Sequence, residues 1–251
     1  MAIVVKVPLA VCHPQYTSHV GEKVRISEIF ASVQGEGLFL GTPSVFVRVS
    51  GCNLRCTWCD TPYASWNPEG PVLDIDQIVD SVKGHSINHV VLTGGEPMLF
   101  DAIDVLAARL SELGMHITIE TAGTVSRDLP CDLMSISPKL SNSTPDLNSG
   151  WSERHEATRL NRQPLRRLIQ TYNIQLKFVV GSDLEQDISE IESLLLTLPS
   201  VDPDRVLLMP EGTDSETLHR RMKQLVPICM ERNWRLAPRL HVDLFGNTRG
   251  T

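Results

Sequence analysis

The stretch Gly51-Cys-Asn-Leu-Arg-Cys-Thr-Trp-Cys-Asp60 decides the fold of this chain, because it places three cysteines in one tight loop directly after a short apolar strand. Cys52, Cys56 and Cys59 have C-x3-C-x2-C spacing. An iron–sulfur cube is normally held by a protein ligand at every corner, and three thiolates leave one iron without one. That iron can bind a small molecule, so the motif predicts a catalytic [4Fe-4S] cluster rather than one that only carries electrons.

A structural zinc site is the alternative interpretation of these cysteines. Structural zinc is usually held by two pairs of ligands of the Cys-x2-Cys or Cys/His type. Cys56 and Cys59 form one such pair, but the sequence offers no second pair, and a lone downstream histidine would have to complete the site. The chain would then be a non-catalytic zinc-binding module, whereas spacing and context favour the cluster.

The composition is that of a soluble globular enzyme. The chain has 251 residues, of which 41% are hydrophobic and 21% charged, so it is long enough to bury a core. Its net charge of −7 argues against extended nucleic-acid binding. No apolar run approaches the ~20 residues that span a bilayer, and the clustered cysteines favour a metal in a reducing compartment over disulfides. We therefore expect a cytoplasmic protein with no membrane partner and no direct nucleic-acid partner.

Short apolar runs alternate with helical patterns and predict an α/β fold. Apolar residues recur with helical spacing from Ile75, from Ile103 and from Leu218, the last with Met222, Leu225 and Val226 on one stripe. The alternation implies right-handed β–α–β crossovers and a parallel sheet. Six units rather than ~eight predict an incomplete, TIM-like β/α barrel. The predicted strands cover residues 45–49, 90–93, 116–120, 133–137, 175–180 and 205–209.

We expect a single domain over residues 1–251. Residues 1–24 are interpreted as an N-terminal extension, because none of the motifs falls there. Residues 141–164 are polar and rich in turn formers, so a long loop or lid is predicted, followed by a helix near 165–172.

A second motif, Thr93-Gly-Gly-Glu-Pro97, ends the next predicted strand. Its two glycines allow the backbone to approach a ligand closely, and Glu96 can accept hydrogen bonds from an ammonium group. An ordinary strand-to-helix turn is the other interpretation of this pentapeptide.

Together, the two motifs resemble those of the radical S-adenosylmethionine (SAM) superfamily. The resemblance implies that the methionyl amino and carboxylate groups of SAM chelate the open iron, and that an electron from the cluster releases a 5′-deoxyadenosyl radical. It places the aromatic ring of Trp58 near the adenine. Further SAM contacts are implied for Gly94, Gly95, Glu96, Ser137, Pro138, Lys139, Met209, Pro210, Glu211 and Gly212.

A closer resemblance, from residue 25 to the C-terminus, is to the family of 7-carboxy-7-deazaguanine synthases. It rests on residues 28–37 with Gln-Gly-Glu-Gly, on residues 41–48, 119–124 and 137–139, and on Cys59-Asp-Thr61. The family converts 6-carboxy-5,6,7,8-tetrahydropterin into 7-carboxy-7-deazaguanine with loss of ammonia, in the biosynthesis of queuosine and related deazapurines. The resemblance therefore implies a radical SAM lyase.

The same resemblance implies a substrate site and a magnesium ligand. Arg48 would bind the substrate carboxylate, which suits a planar guanidinium, and Thr61 would offer its hydroxyl to Mg²⁺, which keeps most of its waters. No residue is an obvious general base. A flavodoxin or ferredoxin-type reductant and a homodimer are also implied, and the role of Thr251 stays open. Contacts to the pterin are implied for Val33, Gln34, Gly35, Glu36 and Thr93.

A radical SAM activase that generates a glycyl radical on a partner protein is the remaining alternative. Such an enzyme shares the cysteine spacing and the Gly-Gly-Glu element. It would not require Gln34, Arg48 and Thr61 around a small carboxylate, so these residues favour the deazaguanine reaction.

Overall fold

The computed structural model describes residues 22–251 and contains one mixed sheet with flanking helices. Of the predicted extension over residues 1–24, residues 1–21 lie outside the described part of the chain. The strands are β1 (Lys23–Val33), β2 (Pro43–Val49), β3 (Val72–Asp74), β4 (His89–Gly94), β5 (His116–Thr121), β6 (Leu133–Ile136), β7 (Ile174–Val180), β8 (Val206–Pro210) and β9 (Arg235–Leu236). The helices are α1 (Ile75–Lys83), α2 (Ala102–Glu112), α3 (Ser152–Arg159), α4 (Arg162–Thr171), α5 (Leu184–Leu195), α6 (Ser215–Arg232) and α7 (Leu240–Phe245).

The sheet is an incomplete barrel. Its strand order is β3-β1-β2-β4-β5-β6-β7-β8-β9, and the end strands β3 and β9 do not pair with each other within the described chain. The six predicted strands are confirmed as the consecutive parallel strands β2, β4, β5, β6, β7 and β8. Strand β1, which pairs antiparallel with β2, extends the sheet beyond that prediction.

The parallel strands are buried on both faces, as their apolar sequences require. Every residue of β7 and of β8 is buried. Most helices cover the outside of the sheet with an apolar stripe, as in α1, where Ile75, Ile78, Val79 and Val82 are buried. Burial of these stripes holds the strands at fixed positions, and so fixes the ends that carry the motifs.

Sheet register places the motif residues at one rim. Arg48 near the end of β2 lies opposite Thr93 near the end of β4, and Thr121 at the end of β5 lies opposite Ile136 at the end of β6. Carboxyl ends of parallel strands are where such folds bind ligands. At the opposite end of the barrel, His89 and His116 begin β4 and β5, and their rings pack edge to face against Phe39.

Two local predictions are corrected. Residues 141–164 are not one long loop, since they contain α3 and the start of α4. Helix α3 lacks an apolar stripe, because it buries Ser152 and His155, and Pro164 falls in the first turn of α4, where proline is tolerated. On α6, Val226 is 41% exposed, and the buried stripe instead continues from Leu225 to Cys229.

Candidate active site

A cavity of about 550 Å³ opens at the carboxyl rim of the barrel, which is within the usual range for small-molecule sites. It lies between the strand ends, the cysteine loop and residues 247–251 of the C-terminal segment. Most of the predicted site residues therefore share one chamber. The predicted residues that line it are Val33, Gln34, Gly35, Glu36, Arg48, Cys52, Cys56, Trp58, Cys59, Thr61, Thr93, Gly94, Gly95, Ser137, Lys139 and Met209.

The three motif cysteines are free thiols on one wall of the cavity. The backbone N–H of Leu54 donates to Cys52 Sγ at 3.4 Å, a type of contact that tunes cluster sulfurs. Burial raises the pKa of Cys52 to about 12 and that of Cys56 to about 11, so both stay protonated near neutral pH until a metal displaces the proton.

This donor set fits a cluster with one open corner. The other described cysteines, Cys131 and Cys229, do not line the cavity. Among residues 22–251, no group of three or more His, Cys, Asp or Glu side chains is arranged to hold a single metal ion. Within the described chain, Cys52, Cys56 and Cys59 are therefore the three cysteines at the cavity, which is the number that a cluster with one open corner requires.

His155 of α3 holds the cysteine loop from outside. The backbone N–H of Arg55 donates to His155 Nδ1 at 3.1 Å, and the other ring nitrogen bonds Ser143 Oγ at 2.9 Å. The backbone N–H of Thr57 donates to the Ser143 carbonyl at 2.9 Å. Because both nitrogens of the fully buried imidazole are occupied, His155 is a clamp on the loop and not a spare metal ligand.

Gly94 and Gly95 are needed for a close approach of backbones. A Cβ on Gly94 would lie 2.1 Å from the Val49 carbonyl oxygen, and one on Gly95 would lie 2.2 Å from the Gly51 carbonyl oxygen. The N–H of Gly95 donates to the Val49 carbonyl at 3.1 Å. The glycines therefore let the end of β4 seat the cysteine loop.

Trp58 and Lys139 form the side of the cavity beneath β8. Trp58 Nε1 donates to Asn142 Oδ1 at 3.1 Å, and Trp58 packs against the buried cluster of Val179, Leu207, Met209 and Ala237. Lys139 Nζ lies 5.4 Å from the Trp58 ring centroid and donates to Ser137 Oγ at 2.8 Å. An apolar ring next to polar groups suits a nucleoside with a charged tail.

Glu120 organises the cavity floor at the end of β5. Its carboxylate accepts from Thr93 Oγ1 at 2.8 Å and from Gln34 Nε2 at 3.2 Å. Sequence reasoning placed Glu120 in a motif but gave it no role. The two partners that it joins, Gln34 and Thr93, were both predicted to contact the substrate.

Glu36 belongs to a buried network of ion pairs. Its carboxylate pairs with Lys177 Nζ and accepts from Arg239 Nε at 3.1 Å, while Arg239 also pairs with Asp60. Burial by itself would raise the pKa of Glu36, but the charges of Lys177 and Arg239 outweigh it and lower that pKa. Glu36 is therefore ionised and its hydrogen-bonding capacity is largely used within the protein.

Sequence reasoning missed the partners of Glu36. Lys177 carried a usable signal, since a lysine inside a buried parallel strand requires a counter-charge. Arg239 and His241 carried no such signal, because they reach the cavity from a segment without a motif. Gly35 makes room for His241, whose Nδ1 would lie 2.0 Å from a Cβ at that position, and burial lowers the pKa of His241.

Arg48 points one edge of its guanidinium at Glu28. Arg48 Nε donates to Glu28 Oε1 at 2.5 Å. Neither Nη atom forms a hydrogen bond with any residue in the described part of the chain. Arg48 therefore presents Nη donors at the cavity that have no partner within residues 22–251.

Thr61 follows the last motif cysteine and also lines the cavity, with Oγ1 3.8 Å from Cys59 Sγ. Five of the predicted SAM contacts do not line the chamber that the described residues form. Glu96 is fully buried and accepts from Met98 N, Thr121 Oγ1 and Ala122 N, so it braces the loop after β4. The other four are Pro138, Pro210, Glu211 and Gly212.

Comparisons with known proteins agree with this geometry. The model of the radical SAM superfamily matches residues 46–178. The 7-carboxy-7-deazaguanine synthase of Halobacterium salinarum is 45% identical over 92% of this chain and 94% of its own length. The enzyme of the same name from Pyrobaculum aerophilum is 34% identical over 91% of this chain and 97% of its own. The crystal structure of QueE from Escherichia coli superposes with a TM-score of 0.65 at 27% identity, covering 87% of this chain and 95% of that one.

Within residues 22–251, none of the helices combines the length and apolar character required to cross a membrane.

Proposed function

Since this chain belongs to the radical SAM superfamily and, within it, to the family of 7-carboxy-7-deazaguanine synthases, we propose that its rim cavity binds SAM and 6-carboxy-5,6,7,8-tetrahydropterin side by side. The chain is a radical SAM lyase of queuosine biosynthesis that forms 7-carboxy-7-deazaguanine with loss of ammonia. The observation that carries the assignment of the cavity is that the cysteine loop, Arg48, Gln34 and Glu120 all line the same chamber.

Cys52, Cys56 and Cys59 would hold a [4Fe-4S] cluster, and the open iron would take the methionyl end of SAM. When bound, these groups supply hydrogen-atom abstraction from C6 of the substrate. Trp58 and Lys139, next to Ser137, offer a ring and polar groups for the nucleoside. Gly94 and Gly95 keep the loop seated so that the reacting groups stay in place. The remaining predicted SAM contacts stay predictions.

Arg48 and Glu120 would orient the substrate. The free Nη donors of Arg48 match a carboxylate, which guanidinium binds in a bidentate manner. The pterin edge carries amino and ring N–H donors, and Glu120 with the Gln34 amide supplies acceptors at fixed positions. Val33 and Gly35 would form the adjoining backbone surface.

The buried ion pairs would supply fixed charge rather than a proton acceptor. Lys177 and Arg239 are both held by Glu36, and the pKa of Lys177 is raised because Glu36 and Glu120 outweigh the effect of burial. His241 is neutral near pH 7, because burial lowers its pKa. The cavity would therefore position the substrate without an evident general base.

Thr61 would contribute its hydroxyl to Mg²⁺, with water and the substrate carboxylate as the other ligands. Magnesium commonly retains several waters, so one protein oxygen is chemically sufficient. We expect Thr61→Ala to raise the Mg²⁺ concentration needed for half-maximal turnover several-fold, at unchanged iron content. An unchanged magnesium requirement would argue against this ligand.

We also propose the protein partners, the domain organisation and the location of the enzyme. A flavodoxin or ferredoxin-type protein would deliver the electron, and a second copy of the chain would cover the open side of the barrel. We propose one catalytic domain, supported by the single sheet that runs from β3 to β9, and a cytoplasmic location. Light scattering of the purified protein tests the homodimer directly.

An anaerobic product assay tests the whole assignment. Protein reconstituted with iron and sulfide is mixed with SAM, a reductant and carboxytetrahydropterin, and the products are identified by mass spectrometry. We expect 7-carboxy-7-deazaguanine to form. Formation of 5′-deoxyadenosine only in the presence of a large protein substrate would instead support a glycyl-radical activase, and stoichiometric zinc without sulfide would support the zinc module.

A further inference from the structure

Glu28 lies at the meeting point of three side chains beside the cavity. It sits on β1 directly opposite Arg48 on β2. Its carboxylate accepts from Arg48 Nε at 2.5 Å, from Tyr63 Oη at 2.9 Å and from Arg249 Nε at 3.3 Å. The Glu28 side chain is only 11% exposed, so these contacts are sheltered from solvent.

The contact with Glu28 fixes the plane of the Arg48 guanidinium. A guanidinium has donors on more than one edge, and Glu28 takes the Nε edge while the Nη edge has no partner among residues 22–251. Strand pairing holds the two backbones in register. A second carboxylate could then bind the Nη edge without rotation of the arginine, which reduces the entropy lost on binding.

Arg249 ties this arrangement to the C-terminal segment. It pairs with Glu69 as well as Glu28, donates to the Ser27 carbonyl at 3.1 Å, and places its guanidinium carbon 4.2 Å from the Tyr63 ring centroid. Residues 247–251 line the same cavity as Arg48. The Glu28 carboxylate therefore connects the orientation of Arg48 to the docking of residues 247–251.

Tyr63 serves as a constant donor in this cluster. Burial raises its pKa to about 12, and the neighbouring Glu28 adds to this effect although Arg48 opposes it. The phenol thus stays protonated across the working pH range and donates a hydrogen bond to Glu28 Oε1. The same oxygen also accepts from Arg48 Nε.

We propose that Glu28 is a positioning residue that sets Arg48 for the substrate carboxylate, and that Arg249 makes this setting depend on the docked C-terminal segment. The inference rests on the proposed function, in which Arg48 binds that carboxylate. It assigns Glu28, Tyr63 and Arg249 to specificity for a carboxylated pterin rather than to contact with the substrate.

The test compares two ligands on the reconstituted holoenzyme with SAM present. One ligand is 6-carboxytetrahydropterin and the other is tetrahydropterin without the carboxylate, and anaerobic titration gives Kd for each. Arg48→Ala should abolish the preference for the carboxylated ligand. Glu28→Gln should reduce that preference about tenfold, and Arg249→Ala about threefold, because Arg249 is partly exposed. Kd for the carboxylate-free ligand should change little in both.

Arg232→Ala is the matched control, since Arg232 also pairs with two glutamates but lies on α6 away from the cavity. Iron content and the thermal midpoint identify variants that have lost their fold, and Tyr63→Phe gives a milder probe that leaves both charges in place. Tyr63→Phe should lower the preference in the same direction as Glu28→Gln.

The outcomes separate the two claims. A preference for the carboxylated ligand that survives Arg48→Ala would refute the role of Arg48 and, with it, this inference. A preference that is lost in Arg48→Ala but unchanged in folded Glu28→Gln, Tyr63→Phe and Arg249→Ala would refute the inference alone. Equal losses of affinity for both ligands in Glu28→Gln would show that Glu28 has a purely structural role, and would also refute the inference.

Discussion

Two walls of the cavity are built in opposite ways. The cysteine wall, residues 52–59 seated on Gly94 and Gly95, is held by backbone hydrogen bonds and close backbone packing. The charged wall consists of Glu36, Lys177 and Arg239 and is held by buried ion pairs. Glu36 lies 141 positions from Lys177 in sequence and 203 positions from Arg239. The cysteines of the first wall lie within eight residues of one another in sequence, whereas the ion pairs of the second exist only after the barrel has brought distant strands together.

The difference predicts where a substitution acts on chemistry and where on stability. Loss of a thiolate removes a cofactor ligand and leaves the packing around it nearly intact. Loss of one partner in a buried ion pair leaves an uncompensated charge, which destabilises the fold. The predictions below test this division, from the largest expected effect to the smallest.

Cys56→Ala should reduce turnover to background. Two thiolates cannot hold the cluster in the arrangement that leaves one iron for SAM, so iron and sulfide content after reconstitution should fall sharply while the thermal midpoint of the metal-free protein changes little. Cys229→Ala is the control, because Cys229 is a buried cysteine on α6 outside the cavity. Full iron retention in Cys56→Ala would contradict the assignment of the cysteine wall.

Lys177→Met should destabilise the protein by about 3–5 kcal/mol, because Glu36 would remain buried with only Arg239 as its counter-charge. Urea unfolding of the metal-free protein measures the effect. Arg232→Met, which breaks partly exposed pairs on α6, should cost no more than about 1 kcal/mol.

The double variant Glu36→Gln/Lys177→Met sharpens this test. Removing both charges relieves the unpaired carboxylate, so the double variant should be more stable than Lys177→Met alone. If Lys177→Met costs no more than Arg232→Met, the charged wall does not stabilise the fold by ion pairing.

His155→Ala should loosen the cysteine wall. The Arg55 N–H would lose its acceptor inside the protein, at a cost of about 1–3 kcal/mol, and the loop between the first two cysteines would open more often. The rate of iron transfer from the anaerobic holoenzyme to a chelator should therefore rise several-fold. His219→Ala, at an exposed histidine paired with Asp243, should leave that rate unchanged, and equal rates in both variants would show that His155 does not hold the loop.

The two walls also differ in what the sequence could predict. The six parallel strands and three of the helices follow from apolar periodicity, and the cysteine wall follows from spacing within a few residues. Strand β1 was not predicted because its residues alternate between exposed and buried only in part. Helix α3 was not predicted because it buries Ser152 and His155 in place of an apolar stripe. Both elements nevertheless supply groups that hold the site.

The ion pairs of the charged wall could not be predicted from the sequence for a different physical reason. Glu36 was expected to meet the pterin, and nothing in its local sequence indicated that Lys177 and Arg239 would take its oxygens. Pairing of this kind depends on which strand ends become neighbours, and a one-residue change in register would remove it. Arg48 lines the cavity, but its contact with Glu28 could be found only from the geometry of β1 against β2.

The dependence of stability on pH should distinguish the contribution of the charged wall from that of His89 at the opposite end of the barrel. This is the smallest effect that we predict. Burial lowers the pKa of His89 to about 4, assisted by His116, while Glu120 and Asp132 oppose the shift. Because the unfolded chain binds the proton more readily, this contribution to stability is complete above about pH 6.5 and is lost as the pH falls towards 4. The pKa of Glu36 is lowered instead, so its contribution is complete above its ordinary pKa of 4.5 and is lost only as the pH falls below that value. His89→Gln should therefore flatten the dependence of unfolding free energy on pH between about 6.5 and 4.5, whereas Lys177→Met should lower the curve across that range without flattening it. A flattened curve in Lys177→Met would mean that the charged wall, and not the neutral histidine, titrates in this range.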